Sequence, residues 1–127
     1  MIMVNERRVR GDAAEELACG WLCDRGWRIV ERNYSWRGGE IDIIAERGDV
    51  MIFCEVRSRS GLPLVPPEET VNWTKQRKIV LTARRFLQGL EMRGEELKGC
   101  RFDVISVVTN ERGHKIKHIE DAFTEAV

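Results

Sequence analysis

An α/β domain with elements in the order α-β-β-β-α-β-β is predicted by three features of the sequence. Residues 8–25 and 72–90 repeat apolar side chains at helical spacing, five β-rich runs surround them, and all three prolines fall in a single stretch, 59–70. The 127 residues form one domain, 1–127, long enough to bury a core without staples, with no repeats and no low-complexity segment.

The first helix is read from Arg8 to Arg25, with Val9, Ala13, Ala14, Leu17, Ala18, Trp21 and Leu22 on one broad arc and Gly26 as its stop. Trp27 to Tyr34 reads as a strand that ends in the polar, glycine-containing SWRGG. Two further strands, Glu40 to Arg47 and Val50 to Ser58, meet at Gly48-Asp49, where glycine at the first central position suits a two-residue hairpin turn. RSGLPLVPPEET is the one long loop. After it a helix from about Asn72 to Leu90 carries Ile79, Val80, Ala83, Phe86, Leu87 and Leu90. RFDVISVVT, a turn at NERGH, and KIKHI complete the chain as two strands and a short tail, with Phe102 and Val104 assigned to the core.

A composition of 43% hydrophobic and 33% charged residues is that of a globular domain rather than a disordered or fibrous chain. No apolar run reaches the 18 residues that suggest a membrane span, and MIMVNERRVR lacks the apolar stretch of a secretory signal, so a cytoplasmic protein is expected. Cys19, Cys23, Cys54 and Cys100 form no CxxC pair and are expected as reduced, mostly buried thiols. His114 and His118 lie on a strand, too far apart to chelate easily, and are expected to be solvated. The formal net charge is zero, which argues against a uniformly basic coat. Charge is nevertheless segregated: Arg7, Arg8 and Arg10 cluster near the start, and Lys75, Arg77, Lys78, Arg84 and Arg85 occupy a helix free of acids from Val71 to Leu90. Lys75, Lys78 and Arg85 share one stripe of that helix, suited to phosphate contact, while a solvated helix face is the alternative.

The hairpin poses the sharper question. If Arg47 pairs with Val50, Ile43 faces Cys54, Ala45 faces Ile52 and Ile41 faces Val56, giving one apolar surface that a single-residue slip would charge. The other face then opposes Asp42 to Glu55 and Glu40 to Arg57. Opposed side chains have β-carbons about 4.5–5.5 Å apart, and like charges so placed repel. Glu40 with Arg57 is read as a structural ion pair, and Asp42 with Glu55 as a site for a divalent cation, since Mg²⁺ takes one or two protein carboxylates and completes its shell with water and phosphate; neutralisation of the pair by Arg57 or another basic group is the alternative.

Asp42, then twelve residues, then Glu55-x-Arg57, preceded by a helix carrying GxxAE, resembles the PD-(D/E)xK nuclease superfamily, which includes archaeal Holliday-junction resolvases. More closely, Gly11-Asp12-Ala13-Ala14-Glu15, Arg32-Asn33-Tyr34, Gly39-Glu40-Ile41-Asp42, Phe53-Cys54-Glu55-Val56-Arg57, Lys75 and Arg101-Phe102-Asp103 resemble the small bacterial YraN family, also called UPF0102, over almost the whole chain. The resemblance implies a restriction-endonuclease-like core, a mixed sheet flanked by two main helices. It also implies Asp42, Glu55 and Glu15 around Mg²⁺ or Mn²⁺, with Glu15 holding a water. Periodicity alone does not choose between Glu15 and Glu16; the GxxAE match chooses Glu15, with a solvated helix glutamate as the alternative. Where the superfamily usually carries lysine, this chain has Arg57, whose guanidinium keeps the charge but cannot serve as a base. Asp103 is read either as an edge charge or as a supporting partner of the site. The expected function is a metal-dependent endonuclease acting on branched or structured DNA, with a homodimer implied by resolvases that act on two strands. The alternative is a nucleic-acid-binding module that keeps the fold without turnover.

Overall fold

The structure, a computed structural model, describes residues 6–60 and 71–125. The side chains of Arg7, Arg8 and Arg10 and most of the prolyl loop lie outside the described residues. Seven elements follow one another: α1 (Glu6–Asp24), β1 (Arg28–Trp36), β2 (Gly39–Arg47), β3 (Val50–Ser60), α2 (Trp73–Met92), β4 (Gly99–Asn110) and β5 (Gly113–Phe123). The sheet runs β1-β2-β3-β4-β5, antiparallel throughout except for the parallel pair β3 and β4. A parallel pair needs a long crossover, and α2 provides it. The expected mixed sheet and element order are therefore present. No helix among the described residues is long and apolar enough to cross a membrane.

Local chemistry sets the element ends. Gly26 takes a left-handed conformation, φ 87°, and the N–H groups of Gly26 and Trp27 close onto the carbonyls of Cys23 and Leu22, ending α1. Asn72 caps α2: its side chain accepts from the Lys75 N–H at 2.9 Å. Between β2 and β3, Gly48 alone of the two central residues has positive φ, 57°, as a type II′ turn requires.

The two helices cover opposite faces of the sheet. On the α1 face, Ala14, Ala18, Cys19 and Leu22 pack with Ile43, Ala45, Ile52, Cys54, Ile105 and Val107. On the α2 face, Ile79, Val80, Ala83, Phe86 and Leu90 pack with Ile44, Met51, Phe53, Phe102 and Val104. Aromatic rings bind the second layer together: Phe53 stacks on Phe102 at 5.7 Å between centroids and Phe102 on Phe123 at 5.2 Å. Phe123 explains why β5 runs past KIKHI through what reads as a tail. A buried ring at its end anchors the added residues, and Asp121, at φ 52°, takes up the irregularity in pairing.

Three expectations are corrected here. Only Cys19 and Cys54 are buried, whereas Cys23 and Cys100 are exposed, because α1 and β4 each turn one thiol away from the core. Ile41 does not share the face of Ile43 and Ala45 but joins the α2 layer. His118 is not solvated. Its Nε2 lies 2.7 Å from Asp103, a fully buried carboxylate that also takes two bonds from Arg101, each 2.9 Å, and one from the Asp121 N–H at 3.0 Å. The network fixes β5 to β4. It makes Asp103 the centre of a structural cluster, which is neither an edge charge nor a partner of the hairpin carboxylates.

Burial by itself would raise the Asp103 pKa, but the bonds from His118, Arg101 and the Asp121 N–H outweigh it and hold the carboxyl below its ordinary value. A depressed folded pKa gives stability that is present above the unfolded value, near 3.8, and is lost as pH falls from there through the lower folded value. Asp103→Ala is expected to destabilise the fold by about 3–5 kcal/mol, since it strands buried partners, and Asp103→Asn to flatten the loss of stability below pH 3.8. Urea unfolding across that pH range reads both effects; an acid limb unchanged in Asp103→Asn contradicts the assignment.

Candidate functional site

β2 and β3 pair in the expected register from Arg47↔Val50 to Ile43↔Cys54, and there the ladder stops. At the next step the Val56 N–H donates to the Asp42 side chain, Oδ2, at 2.8 Å. A carboxylate therefore takes the place of a strand carbonyl, and the two strands part. On its other side β2 changes as well. The β1–β2 register passes from Arg32↔Ile43 to Tyr34↔Ile41 with no Asn33↔Asp42 pair, and Asn33 sits at φ 52°. Facing reverses across that step: Arg32 meets Glu16 on α1, whereas Tyr34 meets the Phe86 ring on α2, 5.1 Å between centroids. Ile43 and Ile41 reverse in the same way, which is the reason Ile41 leaves the expected surface.

The opening so made is the mouth of a cleft of about 350 Å³, lined by Gly39, Glu40, Asp42, Glu55, Asn72, Thr74, Lys75, Lys78 and Ile79. Glu55, 5% exposed, is the one buried glutamate among the described residues. Its Oε1 lies 2.6 Å from Lys75 Nζ and 3.7 Å from Arg57 Nε. Asp42 stands beside it. Burial first, and then the charge of Glu55, push the Asp42 carboxyl up to about 8, against the opposing pull of the Val56 N–H bond. Two carboxylates held together so that one keeps a proton near neutrality form a pair that a divalent cation relieves. That is the fit of the donor set to Mg²⁺ or Mn²⁺. Among the described residues no group of three or more His, Cys, Asp or Glu side chains is gathered for a metal, so the fit rests on two carboxylates with water and phosphate completing the shell.

Glu15 approaches from the other layer. Its side chain is 12% exposed, while that of Glu16 is 75% exposed and bonds Arg32 at 2.9 Å, so the structure separates the two where periodicity does not. Burial raises the Glu15 pKa, partly offset by a bond from the Asn33 side chain and by the Arg32 charge. Glu15 acts on Asp42 through charge, as one of the influences that raise its pKa, without closing a three-carboxylate cluster. The left-handed Asn33 thus serves two ends: it marks the step where facing reverses, and it turns its amide to Glu15.

The cations divide in a way the stripe on α2 does not suggest. Lys75 and Lys78 line the cleft, whereas Arg85 lies over the Trp36 ring, 5.1 Å from its centroid. Arg57 is drawn to Glu55, and among the ion pairs of the described residues none joins it to Glu40. Sequence reasoning gave Lys75 to phosphate; its contact with Glu55 depends on how α2 crosses the parted strands, which no local pattern encodes.

The profile of "Uncharacterised protein family UPF0102" matches residues 14–107, a span that holds Glu15, Asp42, Glu55, Arg57 and Lys75. The chain belongs to the UPF0102 family. A UPF0102 protein of Myxococcus xanthus is 43% identical over 118 residues, covering 93% of this chain and 91% of that protein. Another, from Desulforamulus reducens, is 44% identical over 122 residues, covering 93% and 98%. These UPF0102 relatives thus correspond to almost the full length of the chain, cleft included.

Because the folded Asp42 pKa is raised above 3.8, its contribution to the ion-free UPF0102 fold is fully present below that value and is lost as pH rises toward about 8. Asp42→Asn keeps an oxygen for the Val56 N–H and removes the charge. It is expected to abolish the decline between pH 4 and 8, leaving the variant at least about 1 kcal/mol more stable than the parent at pH 8, one pKa unit being worth about that much. Thermal unfolding in chelator across that range checks it; parallel curves for variant and parent refute the coupling.

Proposed function

We propose that the chain is a metal-dependent endonuclease that hydrolyses phosphodiester bonds in branched or structured DNA. The observation that carries the reading is the shared cleft of Asp42 and Glu55 beneath Lys75 and Lys78, at the point where β2 leaves β3. Paired carboxylates suit a divalent cation, and lysines at the rim suit the phosphate that completes its shell.

Asp42 and Glu55 would hold Mg²⁺ or Mn²⁺, which when bound neutralises phosphate charge and activates water. The chain's own groups do the rest. Glu15, with burial raising its affinity for a proton, positions the attacking water from the α1 side. Arg57, permanently charged, stabilises negative charge as it develops on the phosphate and takes no proton. Lys75 and Lys78 grip phosphates without reading sequence. The neutral net charge makes this grip local rather than a coat over the molecule. A homodimer, presenting two such clefts to two strands, accords with the resolvase resemblance.

One observation favours the binding-module reading. Lys75 Nζ at 2.6 Å from Glu55 already satisfies that carboxylate with a cation of the chain itself. Such a cleft would bind nucleic acid through its lysines without turnover.

Single-turnover cleavage of linear, flapped and four-way DNA with Mg²⁺ or Mn²⁺, beside a binding assay on the same preparations, separates the two. Glu55→Gln is expected to lower cleavage by at least about a hundredfold, since even partners one shell out from a metal are worth up to that much, while binding persists. Arg57→Lys is expected to retain measurable cleavage because the charge survives. A parent that binds but cuts none of these substrates with either ion gives the site to the binding module.

A further inference from the structure

Trp36, the last residue of β1, is 38% exposed, yet its ring is fastened. The indole Nε1–H donates to Thr82 Oγ1 at 2.8 Å, and the Thr82 hydroxyl donates to the Lys78 carbonyl at 2.7 Å, tying the ring to α2 one turn beyond the cleft. The glycines after it serve this arrangement rather than a loose turn. A β-carbon on Gly38 would lie 2.3–2.9 Å from ring atoms of Trp36, and one on Gly39 would lie 2.7 Å from Thr82 Oγ1 and 3.1 Å from the Lys78 carbonyl. Only glycine lets the chain pass beneath the ring and against the helix. Gly39 and Lys78 also line the cleft, so ring and cleft are continuous.

Along α2, Lys75, Lys78, Thr82 and Arg85 fall on one stripe at spacings of three and four. From Lys75 on Glu55 to Arg85 over Trp36 that stripe covers about 15 Å, at 1.5 Å per residue. A partly exposed ring capped by one exposed arginine suits a strand with an unstacked base: the base takes the place of the Arg85 guanidinium over the ring, and phosphates meet the cations along the stripe. The interior of a paired duplex offers no free base face to such a ring.

We propose that Trp36 is a stacking platform for an unpaired nucleotide flanking the phosphate held in the cleft. The substrate class is therefore DNA with unpaired nucleotides next to the scissile bond, as at a flap or branch, rather than continuous duplex. This rests on the nuclease reading of the cleft and deepens it. Arg85, exposed and lying over the ring, gives way to the base and takes the phosphate on its far side.

The test needs no cleavage, so it stands apart from the fate of that reading. In chelator, a duplex with a short flap, carrying 2-aminopurine as its first unpaired base, is compared with the same duplex fully paired. The parent is expected to quench the flap probe on binding and to prefer the flapped DNA by about tenfold. Trp36→Ala is expected to lose the quench and the preference while binding paired duplex within twofold of the parent. Trp36→Leu, which keeps apolar bulk but no ring face, gives the same result and stands in if the alanine variant fails to fold. A parent that binds both DNAs alike, or a leucine variant that keeps quench and preference, overturns the proposal. Absence of cleavage by a parent that still quenches overturns only the catalytic reading.

Discussion

The hydrogen bond from the Val56 N–H to the Asp42 carboxylate ends one ladder and begins the cleft, and the arrangement around it follows from that substitution. A strand that loses a carbonyl partner leaves a buried N–H that must be satisfied, and a side chain satisfies it here. With the Asp42 carboxylate committed to β3, the backbone of β2 is released toward β1, where Asn33 absorbs the change in a left-handed conformation. Both strands reverse facing at the same step, so the interruption is shared and register is kept on each side. The opening lies where β2 parts from the middle of β3, and α1 and α2 approach it from opposite layers, each bringing a charged side chain: Glu15 from one, Lys75 from the other.

The electrostatics of this opening are unresolved in one direction only. Glu55 has Lys75 and Arg57 beside it, whereas Asp42 has one backbone N–H and two carboxylates in range, Glu55 and Glu15. The protein thus leaves one acid compensated and the other short of positive charge. That asymmetry distinguishes the cleft from the cluster at Asp103, where Arg101, His118 and a backbone N–H complete the carboxylate and the role is to join strands. Two aspartates in one small domain therefore stand in opposite surroundings, and their pKa values move in opposite directions.

Much of the fold was legible because burial alternates with position. The hairpin register followed from keeping charge out of the surface made by Ile43, Ala45, Ile52 and Cys54, and α2 followed from the spacing of Ile79, Val80, Ala83, Phe86 and Leu90. What alternation hid is informative. Ile41 changes face because Asp42 bonds across the sheet, an event that no period-two pattern contains. His118 reads as a solvated strand residue until β4 brings Asp103 beside it. Trp36 and the paired glycines read as the frayed end of a strand, although the absence of side chains at 38 and 39 is what admits the ring and α2. Each miss concerns a long-range contact, and each lies at or near a place where a charged or polar side chain replaces a regular pairing.

The proposed function of the cleft rests on one divalent cation held between Asp42 and Glu55. Mn²⁺ titration near neutral pH, followed by the paramagnetic resonance of the free ion, measures this most directly in the protein without nucleic acid. One site per chain is expected, lost in Asp42→Asn and in Glu55→Gln and strengthened in Lys75→Gln, which frees Glu55 of its competing ammonium. Equal Mn²⁺ binding by the parent and both carboxylate variants contradicts it.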